Sequence, residues 1–332
     1  MLTPLLILAF GTFIQSSSYV PLRKIRGWSW ETYWLLQGMF AWILLPLAGA
    51  LLAIRSLPGL AALYASHPLE SLACMGFGFL WGVGSLTFGL AVRYLGISLG
   101  QTVAIGLCSA FGSVLGPILS GQCERLTPPV LAGVTLMLAG VVVVMLAALR
   151  KSRLMSPEQK VAAVPEFNLK KGVAVVILSG LMSAFFNVGL DFGRGIIPEG
   201  VRPEFSSLPI ILPVTCGGFV LNLFYCLYLG RRNGSMQEFR DKSAWNRNLG
   251  FCAMTGAFWY SQFFALSIVR GMMAEHPVFV TFSWCILMTL NILFTNFWGL
   301  VLREWRGTGR RTSALLICGL CLLILSIFLP FV

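Results

Sequence analysis

Apolar stretches of about twenty residues recur along the whole chain, and each is long enough to cross a hydrocarbon core of about 30 Å at 1.5 Å of rise per residue. Ten such spans can be read, over residues 2–22, 31–54, 70–92, 98–119, 129–149, 172–194, 208–230, 247–269, 276–300 and 312–332. Lipid offers no partner to backbone N–H and C=O groups, so each span must satisfy them within itself, as a helix. The expected fold class is an all-α integral membrane protein with ten transmembrane helices. Only 11% of the residues are charged, against about 25% in a soluble domain, which excludes water as the main solvent of this surface. The first span begins at Met1-Leu2-Thr3 without a basic stretch before it, and no small-residue cleavage signal follows Gln15-Ser16-Ser17-Ser18, so it is expected to be a retained helix, not a signal peptide.

A formal charge of +12 would suit nucleic acid if it were clustered. It is not clustered: nineteen of the 24 basic residues fall in the loops that follow odd-numbered spans, among them Arg150, Lys151, Arg153, Arg231, Arg232, Arg310 and Arg311. The positive-inside rule places those loops in the cytoplasm and both termini in the periplasm. Trp28, Trp30, Trp34, Trp245, Trp298 and Trp305 gather at the same span ends, where indole suits the interface. The expected setting is a bacterial inner membrane crossed many times, with lipid and not nucleic acid as the surrounding partner. Nine cysteines are scattered, and the one C-x-x-C, Cys318 to Cys321, lies in a wholly apolar helix without a second ligand pair, so packing explains it better than metal. No cofactor and no metal are expected.

The long polar connection divides the chain into a first set of five spans (1–150), a cytoplasmic linker (151–171) and a second set of five (172–332). An odd number of spans per set inserts the second upside down relative to the first, the inverted-repeat architecture of many secondary transporters. Traces of the repeat keep nearly one offset: Trp81 and Trp259 are 178 residues apart, Phe88 and Phe264 176, Arg93 and Arg270 177, and Glu124 and Glu304 180.

Several segments resemble the bacterial L-rhamnose-proton symporter family of the drug/metabolite transporter superfamily. They are Arg26-Gly27-Trp28-Ser29-Trp30-Glu31-Thr32, Arg93-Tyr94-Leu95-Gly96, Glu166 through Gly172, Trp259-Tyr260-Ser261-Gln262-Phe263-Phe264 and Gly299 through Trp305. The resemblance covers nearly the whole chain and implies a ten-helix inverted-repeat fold and import of a small sugar, L-rhamnose, with H⁺. Two places depart from that family. Gly84-Ser85-Leu86-Thr87-Phe88-Gly89 stands where an Asn-rich third helix is expected, and Val278-Phe279-Val280 stands where the ninth helix would carry an acid. These departures bear on substrate and coupling ion, and they leave a drug/metabolite-type exporter, or a facilitator of another small polar solute, as the alternative.

A sugar presents hydroxyls and an apolar ring face, so its site needs amide or hydroxyl partners beside aromatic planes. Polar side chains at lipid depth are costly and face the bundle interior. Gln15 and Tyr19 share a face of the first helix, Gln37 lies in the second, and Trp81 and Ser85 follow one stripe of the third. Trp259, Gln262 and Phe263 share a face of the eighth, and Asn187, Asn222 and Asn291 are intramembrane amides. Each has a plainer reading, an aromatic as core and an amide as a bond between helices. Among the twelve acids, Asp191 lies inside a span with Arg194 one turn on, and Glu31 opens the second helix. These two are the candidate proton-coupling groups, against a salt bridge and a helix cap. No clustered nucleophile, acid pair or ligand set points to an enzyme, and a homodimer is among the assemblies such a bundle allows.

Overall fold

The structure, a computed structural model, describes residues 2–22, 24–95, 97–154, 168–197, 200–239, 245–301, 305 and 308–331, without the side chains of residues 19, 92, 93, 97, 98 and 169. Among the described residues ten helices are long and apolar enough to cross a membrane: α1 Leu2–Leu22, α2 Trp30–Ile54, α3 Pro68–Ala91, α4 Leu99–Leu119, α5 Pro128–Leu154, α6 Lys170–Ile196, α7 Pro203–Asn233, α8 Trp245–Met272, α9 Pro277–Val301 and α10 Arg310–Phe331. No strand occurs among the described residues. Each helix covers a span expected from sequence.

Local chemistry sets the ends. Ser29, in extended conformation, precedes α2 with Glu31 in its first turn, where a carboxylate suits the positive end of the helix. Lys151 and Arg153 close α5, and Arg231 and Arg232 close α7, favourable at C-termini. Gly234, at φ +73°, then turns the chain out of α7 in the left-handed conformation that glycine adopts without strain. A short helix, Leu57–Ser66, lies between α2 and α3 and was not expected from sequence, because ten residues cannot span a bilayer and its apolar residues read as loop. Ser56 caps it, its hydroxyl accepting from the Gly59 N–H at 3.1 Å, and Leu60 packs it against Ala50 and Leu212.

The chain gathers into two compact units, Met1–Gly82 with Gly189–Ala274, and Val83–Val188 with Glu275–Val332. In the first, α1 lies on α8 and α2 on α7. Gly11 comes so close to α8 that an added Cβ would stand 2.5 Å from the Cβ of Ala265, and Ser261 donates to the Gly11 carbonyl at 2.8 Å. In the second, α5 lies on α10 and α4 on α9. Small residues permit such approaches where lipid supplies no hydrophobic drive between helices.

Candidate functional site

The first unit contains a cage of indole rings. Trp42 and Trp81 are 2% and 8% exposed, and Trp34 and Trp259 are half-buried. The ring of Trp42 stands edge-on to three other indoles: Trp34 at 5.8 Å, Trp81 at 5.5 Å and Trp259 at 6.1 Å between centroids. Trp81 and Trp259 meet at 5.7 Å, and Phe263 lies 4.8 Å from Trp259. Edge-to-face pairs of this kind are the favoured aromatic geometry.

Trp42 was not among the residues singled out from sequence, and the backbone explains why. Residues Phe40–Leu44 form a single π-turn, in which the Leu45 N–H bonds the Phe40 carbonyl five residues back. Pro46 follows, which in a regular helix could not donate to the Trp42 carbonyl and would press its ring against it. The wider turn rotates Trp42 away from the face a 3.6-residue period assigns it, and π-turns of this length are frequent at functional sites. Two glycines make room for the cage. A Cβ on Gly38 would come within 2.7 Å of the Trp42 ring, and one on Gly218 would overlap the Trp81 ring. The Trp42 indole N–H is buried without a hydrogen-bond partner, whereas that of Trp34 donates to Asn222 Oδ1 at 2.9 Å.

The expected amides divide by environment. Gln262 is 3% exposed one turn after Trp259 and donates through Nε2 to the Trp259 carbonyl at 3.3 Å. Gln37 is buried in α2, and Gln15 is half-buried in α1, where its Oε1 accepts from Ser16 Oγ at 3.4 Å. The Tyr19 side chain lies outside the described residues. Asn222 donates to the Gly218 carbonyl of its own helix at 2.8 Å, which fixes it as acceptor for Trp34. In the second unit Asn187 donates to the Gly112 carbonyl at 2.9 Å, joining α6 to α4, and Asn291 donates to the Leu287 carbonyl at 3.2 Å. Ser85, half-buried on α3, belongs to that second unit as well. Geometry thus gathers Trp81 and Trp259 beside Trp42, ties Gln262 to the backbone of Trp259, and gives Asn187 a bond between helices.

The two candidate acids sit differently. Asp191 is buried, and its Oδ1 accepts from both Nε and Nη2 of Arg194, at 3.1 and 2.7 Å. Glu31 is buried at the start of α2, where Oε1 accepts from Asn233 Nδ2 at 3.0 Å and Ser235 Oγ at 2.7 Å. Beside it Glu238, a residue sequence reading did not single out, accepts from the backbone N–H and the hydroxyl of Ser29 at 2.8 and 2.9 Å. Two carboxylates therefore fasten the start of α2 to the segment that follows α7. Loop carboxylates of this sort carry no periodic signal in a sequence.

A cage of indoles with carboxamides nearby offers apolar planes and neutral hydrogen-bond partners, the complement of an uncharged polyol. Among the described residues no group of three or more His, Cys, Asp or Glu could hold a metal ion. Comparison with known proteins agrees with this chemistry. The family described as L-rhamnose-proton symport protein (RhaT) matches residues 4–329. A protein named L-rhamnose-proton symporter in Mannheimia succiniciproducens is 30% identical, over 96% of this chain and 94% of its own length. Proteins of the same name in Shigella flexneri and Yersinia pestis are 31% and 30% identical, each over 93% of this chain and 91% of theirs. With ten membrane-crossing helices and a likeness that runs from the first of them to the last, this chain belongs to the L-rhamnose-proton symport protein family.

Proposed function

We propose that this chain imports L-rhamnose across the bacterial inner membrane in symport with protons, by alternating access. It is a transporter and not an enzyme, as its family is. The observation that carries the reading is the likeness over residues 4–329, and the indole cage gives it a physical basis. A deoxy sugar lays an apolar C–H face on an indole plane and turns its hydroxyls toward amides, and Trp42, Trp81, Trp259 and Gln262 supply both. Gln15, Tyr19, Gln37, Ser85 and Asn187 are the further candidates for contact with substrate.

The halves 1–150 and 172–332, joined by the linker 151–171, are read as inverted repeats, with odd-numbered loops cytoplasmic and both termini periplasmic. Three observations support this: helices five apart in the series, α2 with α7, α4 with α9 and α5 with α10, lie against one another; Trp81 and Trp259 meet across the repeat offset; and the basic residues follow the odd spans. Exposed Phe10, Phe224 and Ile317 fit a surface solvated by lipid.

Proteoliposomes holding the purified chain should accumulate radiolabelled L-rhamnose when an inward proton gradient is imposed and only equilibrate it without one. Equilibration that ignores the gradient would favour the facilitator, a reading in keeping with the apolar Val278-Phe279-Val280 of α9. Absence of L-rhamnose movement under both conditions would remove the sugar.

A further inference from the structure

Two helices of the second unit, α5 and α10, run antiparallel in a single register. Gly133 and Gly140 on α5 meet Pro330 and Leu323 on α10, and Gly319 on α10 meets Val144 on α5; an added Cβ at these glycines would stand 2.5, 2.9 and 2.6 Å from its neighbour. Nine residues beyond Val144 and nine before Gly319, the same register sets Arg153 opposite Arg310. The end of α5 and the start of α10 therefore reach the same end of the unit. Arg150 lies one turn before Arg153 on the same face of α5, and Arg311 follows Arg310. Four guanidinium groups gather there, and all four residues are exposed.

Among the described residues no carboxylate answers them. None of the four takes part in an ion pair, and the described acids of this unit, Glu124 and Glu275, precede α5 and α9 and so lie at its opposite end. Lys151, one turn beyond buried Ala147, is placed differently, over the ring of Trp305 at 4.7 Å from its centroid. Arg310 and Arg311 also open α10, at the positive end of the helix dipole, where cations are disfavoured, and Gly309 before them brings no side-chain cap. Like charges crowded at such a place are stabilised by an anion from outside the chain.

Each arginine pair ends an exposed apolar stripe. On α5 Ala139, Val142, Leu146, Arg150 and Arg153 follow one another at helical spacing, all exposed, and on α10 Arg310, Ala314, Ile317, Cys321 and Ile324 do the same. We propose that this face binds an anionic phospholipid, its phosphate held by Arg150, Arg153, Arg310 and Arg311 and its acyl chains laid along the two stripes. Guanidinium groups match phosphate oxygens with paired N–H donors, and basic pockets between membrane helices bind headgroups of this kind. A zwitterionic lipid brings a quaternary ammonium that four guanidiniums repel, so the face selects net negative charge. A soluble anion would meet the arginines but leave the stripes unused.

Native mass spectrometry of the full chain in detergent, with phosphatidylglycerol or phosphatidylcholine added, tests the site. Phosphatidylglycerol should stay bound and raise the melting temperature, and phosphatidylcholine should do neither. Arg150→Gln/Arg153→Gln and Arg310→Gln/Arg311→Gln should each weaken phosphatidylglycerol binding about 25-fold, at about 5-fold per arginine. The second pair relieves the dipole of α10, so without lipid that variant should melt no lower than the wild type, which separates loss of lipid from loss of fold. Arg231→Gln/Arg232→Gln removes the same charge from the end of α7 and should retain the bound lipid. Unchanged binding in both test pairs would overturn the site, and so would an equal loss in the α7 variant, which would mean diffuse attraction to a basic protein. Disulfide-linked dimers that form in oxidised membranes and vanish in Cys318→Ser/Cys321→Ser would give this face to a second copy of the chain and overturn the lipid.

Discussion

The hydroxyl of Tyr64 donates to the carbonyl of Pro209 at 2.8 Å, and that oxygen is the one Pro213 leaves without a helical donor. Proline has no N–H to return to the carbonyl four residues back, so an orphan acceptor in the first turns of α7 is inevitable, and the short helix Leu57–Ser66 carries the group that satisfies it. Burial pushes the Tyr64 hydroxyl well above its ordinary pKa, so it remains a donor at every working pH.

Tyr64→Phe should therefore destabilise the solubilised protein by about 1–2 kcal/mol, read as a lower melting temperature. The same change in a Pro213→Ala background should cost clearly less, because the substituted residue regains a backbone N–H that can donate to the Pro209 carbonyl itself. Equal losses in the two backgrounds would show that the tyrosine acts through packing alone.

The contact between Gly218 and Trp81 separates packing from binding. A methyl group at position 218 would overlap the indole of Trp81, so Gly218→Ala should cost about 1–3 kcal/mol of stability and impair L-rhamnose uptake. Adding Trp81→Phe makes room for the methyl. The double variant should regain its melting temperature while its KM for L-rhamnose stays raised, since the indole plane is still missing. Recovery of uptake along with stability would take Trp81 out of the sugar site.

The ten helices were legible because lipid imposes one length and one composition on every span, and the ends observed differ from those expected by only a few residues. The cage was half legible. Trp81, Trp259 and Gln262 could be read from regular helical periodicity, but Trp42 depends on a π-turn that alters that periodicity locally. The Gly38 and Gly218 cradles were hidden among many glycines that read as general close packing.

The membrane orientation can be read with single cysteines in a cysteine-free variant. A cysteine within 155–165 or 235–240 should resist an impermeant maleimide in intact cells, and one within 200–205 should react, because the basic loops are expected in the cytoplasm. The reverse pattern would invert the topology, and with it the side on which Glu31 meets water.

Proton coupling needs a group whose protonation changes substrate affinity or the balance between conformations. In Asp191 one carboxylate oxygen takes two guanidinium donors from Arg194, so loss of its charge strands a cation, and the pair reads as a structural clasp. In Glu31 the hydrogen-bond partners Ser235 and Asn233 are neutral. The Ser235 hydroxyl can turn from donating to accepting when the acid takes up a proton, so the site tolerates either state. Asp191→Asn should accordingly keep gradient-driven accumulation of L-rhamnose and lose about 1–2 kcal/mol of stability, a modest figure because Arg194 is partly solvated. Glu31→Gln retains an oxygen for both donors and should fold normally. It should still exchange labelled for unlabelled L-rhamnose across the membrane but fail to accumulate it against a gradient. Normal accumulation by Glu31→Gln would end its candidacy, and a loss of accumulation with exchange intact in Asp191→Asn would transfer the role to Asp191.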